Sequence, residues 1–255
     1  MKIEQHWLCE GVGPSSLPIG EVHLWMTSLE RPVCESNLHS LMNAEEQVRA
    51  ARYKVPRIRR QFVVGRGLLR KMLSQYLLCS AIDIRIEYGP SGKPFLPDFD
   101  LEFNLTHAES FALMAFARGH RVGVDLEPIR VVENMEGLVD RFFSSNERTQ
   151  FHSLPESSRV DGFFRGWTTK EAVLKALGQS VQSLDRFDVE MNPANAPGVL
   201  RLDADMGRAE DWSLIAWQPC EGFTAAVAVE ARRVRADLHM LPPTLLAARC
   251  GCVSE

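Results

Sequence analysis

Asp125 and Glu127 flank Leu126 at the end of the apolar run V-G-V. If that run is a strand, residues i and i+2 share a face and the two carboxylates converge. Paired carboxylate oxygens at a strand end suit Mg²⁺, which keeps part of its water shell and binds substrate phosphates beside one or two carboxylates. Downstream, W-T-T-K-E-A-V-L-K spans 167–175. On a helix Glu171 and Lys175 are i and i+4 and share one face, with Trp167 one turn earlier. A carboxylate and an amine so placed can supply a base or metal ligand and a cationic phosphate contact. Upstream, Lys93 follows a glycine turn in G-K-P, where backbone N–H groups and an ammonium can meet an anion. Thr106 and His107 end the segment L-E-F-N-L-T-H and offer a hydroxyl and an imidazole. Nine basic residues run from Arg49 to Lys71 without one acid, whereas acids outnumber bases seven to three between Asp125 and Glu156. Taken singly, each feature is also what a solvated strand end, a surface ion pair or a plain turn produces.

The elements that must position these groups are short strands and two long helices. V-H-L-W-M (22–26), I-R-I-E-Y (84–88), L-E-F-N-L (101–105), F-A-L-M-A-F-A (111–117), V-G-V-D-L (122–126), F-D-V-E-M (187–191), W-S-L-I-A-W (212–217) and F-T-A-A-V-A-V-E (223–230) read as strands bounded by turn residues. Helical spacing of apolar residues predicts helices over 57–78 and 161–177, the second capped by Asp161 and Gly178. Gly65 and Gly67 weaken the first helix by about 1 kcal/mol each relative to Ala, which points to close backbone packing there. The same order of strand, long helix and three strands occurs twice, offset by roughly 100 to 112 residues. Two similar α+β halves follow, 1–119 and 120–235, each a helix packed on a small sheet, with a ligand cleft between them. Residues 236–255, with Pro242 and Pro243, read as a loose tail.

Composition bounds the function. The chain has 255 residues, 29 Lys+Arg against 33 Asp+Glu, and a net charge of −4. That excludes an extended polyanion as the main partner, so neither nucleic acid nor a membrane surface is expected. No apolar run nears the roughly 18 residues of a membrane span, and the first twenty residues do not form a signal peptide. The six cysteines are scattered without a C-x-x-C pair, and no H-x-x-x-H occurs, so a structural zinc site is not expected and the thiols read as reduced, in a cytoplasm.

F-N-L-T-H, then V-G-V-D-L-E, then W-T-T-K-E-A-V-L-K-A-L-G form an ordered set. The set resembles the 4'-phosphopantetheinyl transferases of the surfactin-synthetase-activating type, and the resemblance runs from about Glu45 to Val229. It implies an α+β pseudo-dimer of two similar halves acting as a monomer. It also implies a reaction: the phosphopantetheine arm of coenzyme A is moved to a serine of an apo acyl, peptidyl or polyketide carrier protein, releasing adenosine 3',5'-bisphosphate, with Mg²⁺ or Mn²⁺ as cofactor. Carried over, Asp125, Glu127 and Glu171 resemble the metal ligands. Glu171 matches the base for the carrier serine and Lys175 the lysine that stabilises or protonates the departing phosphate. Lys93, Thr106, His107 and Lys170 match coenzyme A contacts, as does Lys175, and Arg49, Arg52 and Arg60 lie where the family holds the 3'-phosphate. Glu147 matches a recurring acid. Thr106 stands where many members have Ser, Glu46 where some have Lys, and Gln61 where some have Arg. Leu126 offers no ligand. The competing readings are a Mg²⁺-dependent phosphohydrolase or nuclease using the same carboxylates, and a nucleic-acid-binding protein using the 49–71 island.

Overall fold

The computed structural model describes residues 3–6, 17–30 and 32–241. The first half runs β1 (Ile3–His6), β2 (Glu21–Ser28), α1 (Glu35–Ser40), α2 (Ala44–Arg52), α3 (Pro56–Leu77), β3 (Glu87–Tyr88), β4 (Pro94–Phe95), β5 (Glu102–Ala108) and β6 (Phe111–Ala117). The second runs β7 (Val122–Pro128), α4 (Met135–Phe142), α5 (Ser145–Ser153), α6 (Glu156–Leu177), β8 (Phe187–Val189), β9 (Val199–Leu202), β10 (Ser213–Trp217), β11 (Phe223–Val229) and β12 (Arg235–Met240). The repeat extends to strand order: β2-β6-β5 in one sheet matches β7-β11-β10 in the other, antiparallel throughout. The fold is α+β, as the repeat predicts.

Side-chain alternation builds four layers. Trp25, Phe103, Met114 and Phe116 face α3 and pack on Val64, Leu68 and Met72. Their strand neighbours Val22, Leu24, Leu113 and Ala115 point the other way, onto Val122, Val124, Ala225 and Val227 of the second sheet. The far face of that sheet, Ala226 and Ala228, receives Ala172, Val173 and Ala176 of α6. The layer order is therefore α3, sheet, sheet, α6.

Three expectations are corrected. Residues 236–240 are not loose: β12 lies between β1 and β2, parallel to both, and buries Ala236 and Leu238 against the shared core. The remainder of that stretch, 242–255, lies outside the described residues. Helix α6 begins five residues before Asp161, with Pro155 at its N-cap. Its first turn is polar and largely exposed, so apolar periodicity cannot reveal it, whereas Gly178 does cap its C-terminus at φ 65°. Of the two glycines in α3, only Gly67 is closely packed: a Cβ there would stand 2.7 Å from Leu38 of α1, while one at Gly65 would meet nothing within 4 Å.

Candidate active site

The acids of β7 face α6 because of a missing side chain. Gly123, Asp125 and Glu127 share one face of the strand. A Cβ at Gly123 would lie 2.1 Å from the Ala172 carbonyl oxygen and 2.3 Å from the Ala176 nitrogen, so glycine lets α6 seat directly on β7. One turn of α6 then carries Glu171 and Lys175 past Asp125. The Lys175 ammonium donates to Asp125 Oδ1 at 2.6 Å and to Thr106 Oγ1 at 3.1 Å. Thr106 comes from β5, whose edge meets β7, where Asn104 Oδ1 accepts the Val124 N–H at 2.9 Å. The two halves thus join at the site: one supplies the hydroxyl, the other the carboxylates and the amine.

The electrostatics suit a bound cation. Asp125 is 3% exposed, and its Oδ2 is buried without a hydrogen-bond partner. Burial raises the Glu127 carboxyl above its ordinary range, and the Asp125 charge adds to that; Lys175 and Arg130 pull it back down, and Glu171 adds a smaller push upward. Burial likewise raises Glu171, with Lys175 pulling it down and Asp125 pushing it up. Three carboxylates served by one nearby ammonium, with a buried oxygen open, fit a hard divalent ion that binds through oxygen.

The predicted phosphate contacts divide. His107 and Arg49 line one cavity of about 320 Å³ together with Tyr53, Phe62, Arg66, Tyr88 and Gly92. Arg49 also stands over the Phe62 ring, at 5.2 Å. Arg52 joins Arg49 and Arg66 around an adjoining space of about 470 Å³. Arg60 lines a third cavity with Arg57, Arg59 and Lys54, and pairs with Glu35. Lys93 does not present a bare ammonium: its Nζ donates to the Ala176 carbonyl at 2.9 Å and to Glu102 at 3.2 Å, tying the β3–β4 hairpin to the last turn of α6.

Lys170 is removed from the predicted contacts. It is 1% exposed, and its Nζ donates to both oxygens of Glu147 and to the Phe187 carbonyl, each at 2.7 Å. Glu147, whose role the sequence leaves open, is its partner. It also closes the capping box of α5 with Ser144 and accepts the Val189 N–H. Burial drives both groups toward their neutral forms, and each one's charge opposes this in the other. The first half repeats the device: Glu46 closes a capping box on α2 and accepts from Arg66 and Arg70 of α3. Arg70 and Lys170 are each the fifteenth residue of a 22-residue helix. Sequence reasoning missed Asn104 and Gly123. A glycine inside a strand pattern was the available signal for the latter.

Residues 121–228 match the 4'-phosphopantetheinyl transferase superfamily, and residues 24–118 match the N-terminal domain of 4'-phosphopantetheinyl transferases. The chain is 37% identical over 216 residues to the 4'-phosphopantetheinyl transferase HetI of Nostoc sp. (strain PCC 7120), covering 82% of this chain and 87% of the relative. It is 32% identical over 161 residues to the putative 4'-phosphopantetheinyl transferase slr0495 of Synechocystis sp., covering 62% and 65%. To the 4'-phosphopantetheinyl transferase Sfp of Bacillus subtilis it is 25% identical over 169 residues, covering 64% and 74%. The chain belongs to the 4'-phosphopantetheinyl transferase superfamily, a family of enzymes.

Proposed function

We propose that the protein transfers the 4'-phosphopantetheine arm of coenzyme A to a serine of an apo acyl, peptidyl or polyketide carrier protein and releases adenosine 3',5'-bisphosphate. Family membership favours this over a phosphohydrolase, a nuclease or a nucleic-acid-binding protein. The observation that carries it is the Lys175–Asp125–Thr106 contact at the seam of the two halves, with an open buried Asp125 oxygen beside Glu127 and Glu171. The division at about residue 119/120 is supported by family matches that end at 118 and resume at 121. Among the described residues no helix is long and apolar enough to cross a membrane. We place the enzyme in the cytoplasm, as a monomer. Cys79 and Cys220 are free thiols, in keeping with that compartment.

In this reading Asp125, Glu127 and Glu171 hold Mg²⁺, which when bound neutralises pyrophosphate charge and polarises the phosphoryl group. Glu171 takes the proton of the carrier serine. The serine oxygen forms a bond to the β-phosphorus of coenzyme A as the bond to the bridging oxygen breaks. Lys175, aligned by Asp125, meets the charge developing on the departing α-phosphate. His107 and Arg49 line the route for the nucleotide end.

The test is incubation with coenzyme A, Mg²⁺ and several apo carriers, followed by weighing each carrier by mass spectrometry. A gain of one phosphopantetheine is expected; no gain on any carrier would sink the proposal. Glu171→Gln is expected to abolish transfer while coenzyme A still binds, and near-normal turnover would remove Glu171 from the base role.

A further inference from the structure

Away from the seam, the α3-facing surface of the first sheet holds a second group of ligating side chains. His23 comes from β2 and Asp237 and His239 from β12, and all three are buried. One donor atom from each lies within 4.8 Å of the other two. The register explains the gathering. Parallel pairing sets Asp237 beside His23 and His239 beside Trp25, and period 2 turns 237 and 239 to the same face. The rings are held in place. His239 stacks on Trp25 with centroids 4.4 Å apart, and His23 meets His239 edge-on at 5.4 Å. His23 Nδ1 lies 2.8 Å from the Tyr76 hydroxyl, which also accepts the Trp25 indole N–H at 2.8 Å.

We propose that His23, Asp237 and His239 bind one divalent transition-metal ion of the zinc class, at a site separate from the catalytic carboxylates. Two imidazole nitrogens and one carboxylate oxygen are a zinc donor set, whereas Mg²⁺ takes oxygens in an octahedron. Three protein ligands leave a fourth position for water. Zinc–nitrogen bonds of about 2.0–2.1 Å in a tetrahedron set donors roughly 3.3 Å apart, so the side chains close slightly on the ion. In the His23 tautomer whose Nδ1–H donates to Tyr76, Nε2 is the coordinating nitrogen, the usual anchoring of a metal-bound histidine. Arg235 Nε stands 3.2 Å from Asp237 Oδ1 and fixes the orientation of that carboxylate. Glu21 lies 3.9 Å from His23 Nε2 and adds negative charge beside the ion. The ion bridges β2 and β12 and so pins the last described strand to the first half. No local motif announces the site, because its ligands come from strands far apart in the chain.

The full chain, purified without a histidine tag and stripped with a chelator, is titrated by calorimetry with Zn²⁺ alone and with Mg²⁺ alone. One equivalent of Zn²⁺ with a rise in Tm is expected. Asp125→Asn should leave this binding unchanged, and His239→Gln should weaken it at least about tenfold. The proposal is overturned if no Zn²⁺ binds, if Mg²⁺ displaces it, or if Asp125→Asn abolishes binding while His239→Gln does not. Should His239→Gln fail to fold, Co²⁺ bound to the wild-type chain decides. Intense visible bands of a four-coordinate nitrogen-containing site support the proposal, and the pale spectrum of a six-coordinate oxygen site refutes it.

Discussion

At the scale of single residues, Lys170 and Glu171 show how adjacent side chains in one motif take opposite tasks. Neighbours on a helix point about 100° apart. Lys170 falls one turn before Val173 and Leu174, which are core residues, and so turns inward, while Glu171 turns to the seam. Truncating one member of a buried pair strands the other's charge, which costs about 3–5 kcal/mol. Lys170→Met is therefore expected to lower unfolding stability by that order in denaturant titration. The double variant Lys170→Met, Glu147→Leu should recover a large part of the loss while keeping the KM for coenzyme A. A KM raised severalfold in a stable double variant would restore Lys170 as a contact. The same logic separates the arginines. Arg49 shares a cavity with His107, next to Thr106, whereas Arg60 lies in another space and pairs with Glu35. Arg49→Ala is expected to weaken coenzyme A by about tenfold or more, the size of a hydrogen bond to a charged group, and dephospho-coenzyme A much less. An equal loss for both ligands, measured by competition, would mean that Arg49 does not read the 3'-phosphate.

At the scale of elements, the sequence was most informative where burial is one-sided and regular. Leu24, Leu113 and Val124 alternate with Trp25, Met114 and Asp125, so the strands and their repeat were legible, as was the convergence of Asp125 with Glu127. It was least informative where tertiary pairing decides. The sequence of β12, R-A-D-L-H-M, alternates correctly but carries no β-branched residue, and its strand state comes from two parallel neighbours. Glu46 and Glu147 close capping boxes with Asn43 and Ser144, but the ion pairs that bury those acids come from helices elsewhere in the chain. Gly123 links element packing to chemistry. Gly123→Ala forces the backbone of α6 off β7, because nothing flexible stands in the way of the new methyl. The expected outcome is a loss of about 1–3 kcal/mol, as for other overpacked sites, and a fall in kcat from separating Asp125 and Thr106 from Lys175. Unchanged stability and kcat would show that the seat of α6 on β7 does not set the site.

At the scale of the molecule, duplication has left one active site. The repeat sets Trp25 and Thr27 at the positions of Asp125 and Glu127, and Lys71 and Gln75 at those of Glu171 and Lys175. Trp25 packs under α3 in the core of the first half and Thr27 is buried two residues on, whereas the acids of the second half build the seam. The core shared between the sheets makes the halves interdependent. Val22, Leu24 and Leu238 of one sheet and Val122, Val124 and Val227 of the other form one apolar layer, and β12 returns from the second half to complete the first sheet. Unfolding should then be a single cooperative transition. Leu238→Ala tests this, since the residue is 5% exposed and sits on the returning strand. Such a truncation costs about 2–5 kcal/mol in a well-packed core. If the halves are one unit, the midpoint falls by the same amount whether unfolding is followed at Trp25 of the first half or at Trp212 of the second, each read in a variant with the other tryptophans replaced by Phe. A first half that melts early while the signal from Trp212 stays at its original midpoint would show two independent domains, and the layer between the sheets would then be an interface rather than a core.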